Sequence, residues 1–334
     1  MRLENILALT NAQLINEPFV NSFENIVFKA KAVRRGDLFV AFDKEEIQTA
    51  ISNGAYGIIF DKTTKISDTE IAWIKVSDIE DAIKRLLRFR IIEKELVAYE
   101  CHEITISLAL QTITEPRIVP LHGNIKRIFK ILWDIDKNTI ILFSPTLCDK
   151  DMFVNSKKIS QGTLESIVVM EKTLFETSFI YDDIFYERQP LSPFFIPYLE
   201  QLFHLFTTLQ IKYKIKKFAP LAYFEAVFVN KKLEIKDFGT TERVVIFEQN
   251  LLFIADEINF LRQHASFAQV IYIIPNTQQH YTFINHEKYF FYANENEIQD
   301  ILENNPFHFA FIVGANKSLL HKALTQYQQL TLEF

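Results

Sequence analysis

One short segment of the chain gathers side chains that could act as nucleophiles or metal ligands. Cys101 and His102 are neighbours, and Glu100 and Glu103 flank them. A thiol beside an imidazole could form a nucleophilic pair, and with the two carboxylates it could hold a metal ion. However, no second pair of ligands follows at a spacing typical of metal sites, and adjacent residues of a strand point to opposite faces. The residues therefore favour a structural role for this segment over a catalytic one.

Glycine, which phosphate-binding loops require, is scarce at 7 of 334 residues. No glycine is followed by Lys, no two are five residues apart, and no two are two residues apart. Walker A loops and G-x-G-x-x-G turns need glycine because the backbone approaches the phosphate closely and adopts positive φ. The sequence therefore excludes ATP and NAD sites of these two types, and we expect no cofactor.

A second candidate site lies at the end of a predicted strand. Glu248, Gln249 and Asn250 follow the apolar residues 244–247. In open α/β sheets ligands bind beyond the carboxyl ends of strands, so we expect this trio to line a substrate cleft between the central and C-terminal domains. The alternative is that the trio only caps the strand and the next helix. No catalytic residue and no metal ligand is predicted.

The first part of the chain is predicted to alternate between strands and helices. Gly54 is expected to end a helix, because glycine readily adopts the left-handed conformation after a helix C-terminus. Ser77 and Glu80 have the spacing of a capping box, with Ser77 at the N-cap. The elements predicted for residues 1–94 are strands over 38–42, 56–60 and 72–76 and helices over 46–53 and 79–94.

The rest of the chain continues this alternation, less regularly in the middle than at the end. The middle contains a predicted strand over 139–143 and an amphipathic helix that includes Leu199, Leu202, Phe203 and Phe206. The βαβ rhythm of the last hundred residues predicts a small, mostly parallel sheet. Its predicted elements are strands over 243–248, 269–275 and 309–313 and helices over 255–264, 295–304 and 318–328.

Length, charge and cysteine content limit the possible function classes. A chain of 334 residues is long enough for two or three domains. Its net charge of −6 argues against sequence-independent nucleic-acid binding, which needs a cationic face. Two cysteines without a recognisable pairing, an N-terminus without a signal peptide and the lack of a long apolar run predict a cytoplasmic protein without a membrane insertion.

Three segments near the start of the chain match a known series of sequence blocks. Residues 33–42 (Val-Arg-Arg-Gly-Asp-Leu-Phe-Val-Ala-Phe) are similar to the pattern V-x-x-G-D-L-F-V-A. Residues 50–59 resemble an A-I-x-x-G-A block with the strand that follows, and residues 76–78 resemble a V-x-D block. In this order the blocks resemble the N-terminal domain of the Mur ligases, which are ATP-dependent amide-bond enzymes of peptidoglycan synthesis. A weaker similarity runs to the end of the chain and is greatest to the ligase that adds D-alanyl-D-alanine to UDP-N-acetylmuramoyl-tripeptide.

The chain departs from the family at its phosphate loop, T-G-x-x-G-K-T. The collinear residues are 99–105, where Glu100 and Glu103 replace the two glycines and Ile104 replaces the lysine. Glutamates at these positions would repel phosphate rather than bind it. The family's modified lysine falls on Glu171, with Lys172 one position away.

The resemblance implies an α/β protein with a three-domain Mur ligase-like arrangement. The expected domains are an N-terminal one (1–94), a reduced central one without the phosphate loop (95–238) and a Rossmann-like C-terminal one (239–334). The leading hypothesis is a degenerate homologue that acts as a binding or accessory protein, with a peptidoglycan precursor or a cell-wall enzyme as its partner. The alternatives are an active ligase of the D-alanyl-D-alanine-adding type and a purely structural interaction protein.

Overall fold

The structure is a computed structural model that describes residues 1–153, 155–159, 166–281 and 288–320. Contacts divide the chain into two compact units. One comprises Met1–Gln161 with Leu205–Lys214, and the other comprises Gly162–His204 with Ile215–Phe334. Each unit contains two β-sheets. The three-domain division, with boundaries after residues 94 and 238, stays a prediction.

The first sheet has the strand order β1-β5-β4-β3-β2, in which β1 is antiparallel to β5 and the other pairs are parallel. The three predicted strands and both predicted helices are confirmed, with shorter bounds. The elements are α1 (Leu3–Thr10), β1 (Gln13–Leu14), β2 (Ile26–Val27), β3 (Leu38–Val40), α2 (Ile47–Ser52), β4 (Gly57–Phe60), β5 (Ala72–Lys75) and α3 (Ile79–Glu93).

Local signals at the helix ends of this region are partly as predicted. Gly54 follows α2 with φ +94, and its amide donates to the Ile51 carbonyl. The predicted N-cap Ser77 is wrong by one residue. Asp78 is the N-cap of α3, because its carboxylate accepts a hydrogen bond from the Asp81 amide at 2.7 Å. Aspartate and serine are about equally good N-caps, so the sequence alone does not choose between neighbours.

The second sheet is entirely parallel and has the order β7-β8-β6-β9. Of its strands, only the one over 139–143 was predicted. The elements are β6 (Val97–Glu100), α4 (Glu103–Thr112), β7 (Ile118–Pro120), α5 (Ile125–Asp134), β8 (Ile140–Phe143) and β9 (Ser156–Lys158).

One hydrophobic core serves the first and second sheets together. Leu86, on α3, and Phe129, on α5, are both fully buried members of it. The Phe129 ring meets Phe28 edge-on at 4.9 Å and stacks on Trp133 at 4.7 Å. The Arg90 guanidinium, from α3, donates two hydrogen bonds to the Trp133 carbonyl. Helices α3 and α5 therefore join the two sheets of this unit.

The second unit contains an antiparallel three-stranded sheet in the order β10-β11-β12 and a five-stranded sheet in the order β13-β14-β17-β15-β16. In the larger sheet only β13 is antiparallel. The elements are β10 (Val168–Lys172), β11 (Thr177–Tyr181), β12 (Ile184–Gln189), α6 (Ile196–Leu209), β13 (Glu225–Val229), β14 (Arg243–Glu248), α7 (Ile254–His264), β15 (Val270–Pro275), β16 (Lys288–Tyr292), α8 (Glu295–Asn304) and β17 (Phe309–Val313). The residues of α6 from Leu205 on belong to the first unit.

The mostly parallel sheet predicted for the last hundred residues is confirmed, with the strands and helices close to their predicted bounds. Strands β13 and β16 were not predicted, and β13 joins this sheet from the region before residue 239. The predicted apolar face of α6 is buried. From residue 321 on, the predicted helix 318–328 lies outside the described residues. No helix in the described ranges is long and apolar enough to cross a membrane.

Candidate functional site

The connection from β6 to α4, where the resemblance places a phosphate loop, consists of two residues. The Cys101 amide donates to the Phe143 carbonyl at 2.9 Å, which fixes the turn to the end of β8. His102 is the N-cap of α4, and its Nδ1 accepts a hydrogen bond from the Ile104 amide at 3.2 Å. Free amides at a helix N-terminus bind anions. Here one of those amides is occupied by the protein's own imidazole.

Two carboxylates lie where this turn meets the sheet edge. Glu100 forms an ion pair with Lys150, whose Nζ lies 2.7 Å from its Oε2. Glu103 is only 4% exposed, and its Oε2 accepts a hydrogen bond of 3.3 Å from Thr146 Oγ1. The Thr146 hydroxyl in turn lies 2.7 Å from the hydroxyl of Ser144, which follows β8. The carboxyl end of β6 and the start of α4 therefore carry negative side chains that neighbouring side chains already contact.

The Cys101 thiol lacks the lowered pKa of an activated nucleophile. Burial raises the pKa of the Cys101 thiol to about 12, and the nearby Glu100 charge contributes in the same direction. A thiol with such a pKa is protonated at neutral pH, whereas the nucleophile and the metal ligand is the thiolate. In the described ranges no group of three or more His, Cys, Asp or Glu side chains could hold a metal ion. The structural interpretation of this segment stays a prediction.

Glu248 ends strand β14 and is fully buried. Its Oε2 accepts a hydrogen bond from the Phe224 amide at 2.9 Å, and its Oε1 accepts one from the Asn250 amide at 2.6 Å. Asn250 Oδ1 accepts from the Leu252 amide at 3.0 Å in the turn that leads to α7. Gln249, between them, is exposed. These are the contacts expected of a cap, and the role of the trio in a substrate cleft stays a prediction.

A residue that sequence analysis missed, Glu257 on α7, lies beside Glu248 and is also fully buried. Burial raises the pKa of Glu257 well above its ordinary value, and the neighbouring Glu248 raises it further. Burial also raises the pKa of Glu248, although its two amide hydrogen bonds act in the opposite direction. The two carboxyl groups cannot both ionise at low cost, so burial and the neighbouring Glu248 favour the protonated form of Glu257.

A signal for Glu257 was present in the sequence. It interrupts the apolar face of α7 at helical spacing, three residues after Ile254 and four before Leu261, both of which are buried. A glutamate in such a position must be either neutral or paired once the helix packs. Its partner was not predictable, because Glu248 reaches it only through the packing of α7 on the sheet.

Comparison with known proteins finds similarity at the level of solved structures. No known family profile matches the sequence, and no curated protein sequence does either. Among solved structures, MurF from Acinetobacter baumannii aligns over 97% of this chain and 98% of its own, with a TM-score of 0.53 and 9% identity. The MurF ligase from Thermotoga maritima in complex with ADP aligns over 92% of this chain and 97% of its own, with a TM-score of 0.51 and 13% identity.

These alignments span almost the whole of each chain, while their low identity restricts the likeness to the fold. The mixed α/β fold that the sequence resemblance implied is confirmed by them. With its parallel and mixed sheets, the chain has a Mur ligase-like fold.

Proposed function

We propose that this protein is a degenerate Mur ligase homologue without ATP-dependent ligase activity, which acts as a cytoplasmic binding or accessory protein near peptidoglycan precursor synthesis. The fold supports the first half of the proposal, since MurF ligases align with nearly the whole chain. The turn between β6 and α4 supports the loss of ATP chemistry and is the observation that carries the proposal.

That turn lacks each feature that binds a triphosphate. It has no glycine, so its backbone cannot form a close cradle of amides. It has no lysine at the start of α4, and two glutamates stand near the position of the phosphates. The nearby ammonium of Lys150 is paired with one of these glutamates. A phosphate entering here would meet the carboxylates of Glu100 and Glu103 beside the positive end of α4, and these carboxylates oppose its binding.

A protein that keeps this fold without its nucleotide site can still bind a ligand. The solved ligases with this fold include one named for its action on UDP-N-acetylmuramoyl-alanyl-D-glutamyl-2,6-diaminopimelate and D-alanyl-D-alanine. We infer that a precursor of this chemical class, or an enzyme that handles it, is the partner of this chain. Glu248, Gln249 and Asn250 remain the proposed cleft residues.

The proposal is tested by measuring ligation and binding in parallel. The chain is incubated with UDP-N-acetylmuramoyl-tripeptide, D-alanyl-D-alanine and Mg-ATP, and phosphate release is followed. The Thermotoga maritima ligase serves as the positive control. Binding of the UDP-tripeptide and, separately, of the Thermotoga maritima ligase as a cell-wall enzyme to the chain without nucleotide is measured by calorimetry.

We expect no substrate-dependent phosphate release and saturable binding of the precursor or of a cell-wall enzyme. Phosphate release that requires both substrates would contradict the proposal and identify an active ligase. If neither turnover nor binding of either kind occurs, the accessory role is wrong and the chain is a structural interaction protein.

A further inference from the structure

A cavity of about 590 Å³ opens at the sheet edge opposite Glu248. Val244 and Phe309 line it, and they lie near the amino ends of β14 and β17, whereas Glu248 ends β14. The hairpin between β10 and β11 forms another wall. All of its lining residues belong to the second compact unit. The cavity therefore differs in place from both candidate sites described above.

The walls of this cavity are built from phenylalanine rings. Phe228 and Phe238 have ring centroids 4.7 Å apart, and Phe175 meets Phe228 and Phe309 edge-on at 6.1 Å each. Phe175 is held in place by its turn, because Thr173 Oγ1 accepts hydrogen bonds from the amides of residues 175 and 176. Rings fixed in this way offer faces and edges against which a further planar ring can pack.

Two aromatic side chains at the cavity remain exposed to solvent. Phe238 is 50% exposed and Phe267 is 81% exposed. Gly239 also lines the cavity. Apart from Gly239 and its two chain neighbours, no described atom lies within 4 Å of the position that a Cβ would take there. An apolar molecule in this space would remove the exposed ring surfaces from water, and burial of apolar area drives binding. The cavity volume is in the range of small-molecule sites, roughly 300–1,000 Å³.

Charged side chains also line the cavity, namely the cations Lys172 and Arg188 and the carboxylates Glu176 and Glu242. Lys172 makes no ion pair with any side chain in the described ranges. Arg188, beside it in the lining, lies 3.5 Å from Glu176. In a mostly apolar pocket, a small number of polar groups sets the orientation of the ligand. The lysine ammonium is suited to an anionic substituent on an otherwise apolar molecule.

We propose that this cavity binds a small planar aromatic molecule that bears an anionic group. The ring packs among Phe175, Phe228 and Phe238, and the anionic group faces Lys172. This site is independent of the proposed precursor-binding function, since it lies at the other edge of the sheet.

The test uses the full chain and two probes of the same shape, 2-naphthoate and its neutral analogue naphthalene-2-carboxamide, titrated at pH 7.5 by calorimetry. The variants are Phe238→Ala, which removes one wall, and Lys172→Gln, which removes the cation. Matched controls are Phe19→Ala and Lys62→Gln, exposed residues of the same types in the other unit. Melting temperatures establish that each variant is folded.

We expect one saturable site for naphthoate. Phe238→Ala should weaken both probes about tenfold, because a central aromatic contact is lost. Lys172→Gln should weaken naphthoate up to about fivefold and leave the carboxamide unchanged, as for an exposed ion pair. The control variants should bind both probes like wild type. Absence of saturable binding up to the solubility limit, or unchanged binding to Phe238→Ala, would overturn the proposal. Equal weakening of both probes by Lys172→Gln would overturn the anionic part.

Discussion

The Glu100 carboxylate lies 2.7 Å from the Lys150 ammonium at the carboxyl end of β6. The cation at this place is thus Lys150 of the protein, and it neutralises the Glu100 carboxylate of the same protein. In a nucleotide site the opposite pairing is needed, with protein amides and ammonium groups around a bound phosphate. The pair therefore bears on function more directly than the overall fold does.

The buried pair of Glu248 and Glu257 predicts a stability that falls as pH rises. The pKa values of both groups are raised in the folded state. Their protonation therefore favours the folded chain below the folded-state pKa, and stability is lost as pH rises from the ordinary glutamate pKa through the raised values. Urea unfolding between pH 5 and pH 8 measures this slope.

Glu257→Gln replaces a buried carboxyl of raised pKa by a neutral group of the same shape, so it should be more stable than wild type at pH 8 and show a flatter pH dependence. Glu187→Gln, an exposed glutamate in the same unit, is the control and should keep the wild-type slope. A Glu257→Gln variant that is less stable than wild type at pH 8 would show that the ionised form is the native one.

The trio at the end of β14 allows the capping and cleft roles to be separated. Asn250→Ala removes the acceptor of the Leu252 amide and should lower the free energy of unfolding by about 1 kcal/mol. Gln249→Ala, the exposed neighbour, should change it by less than about 0.5 kcal/mol.

The double variant Glu248→Ala with Asn250→Ala is then compared with wild type for precursor binding as well as for stability. If the trio lines the cleft, binding weakens by more than the stability loss explains. Unchanged binding together with lower stability would leave the trio as a cap and reject it as a ligand site.

The shared core of the first unit predicts a large effect of one ring. Phe129→Ala removes a fully buried side chain that contacts Phe28 and Trp133, and should cost about 3–5 kcal/mol of unfolding free energy. Phe19→Ala is the control, since Phe19 is 91% exposed. Denaturant unfolding followed by circular dichroism measures both. Equal stabilities of the two variants would show that α5 does not pack on α3 as described.

Much of the fold could be predicted from local sequence patterns. Strands β3, β4, β5, β14, β15 and β17 are short apolar runs that the sheets bury, and α7 and α8 carry one apolar face each. Strand β10 was missed because all five of its residues are exposed, so no buried face marks it as a strand in the sequence. Strand β13 was missed because its place is set by pairing with β14 across a long intervening loop.

The candidate sites were predictable only where their signal is local. The absence of glycine around Glu100 and Glu103 is visible in the sequence and suffices to exclude a phosphate loop. The contacts that these two glutamates make were not predictable, because their partners Lys150 and Thr146 lie more than 40 residues away along the chain. The same holds for the aromatic cavity, whose phenylalanines are brought together from four separate parts of the chain.

Mg-ATP binding tests the central claim most directly, by the melting temperature of the full chain with and without saturating nucleotide. A ligand present at 100 times its dissociation constant would stabilise the folded state by about 2.7 kcal/mol, a shift that melting experiments resolve. The occupied turn between β6 and α4 predicts no Mg-ATP-dependent shift, while the Thermotoga maritima ligase measured alongside should show one. A saturable rise in the melting temperature of this chain with Mg-ATP would contradict the account.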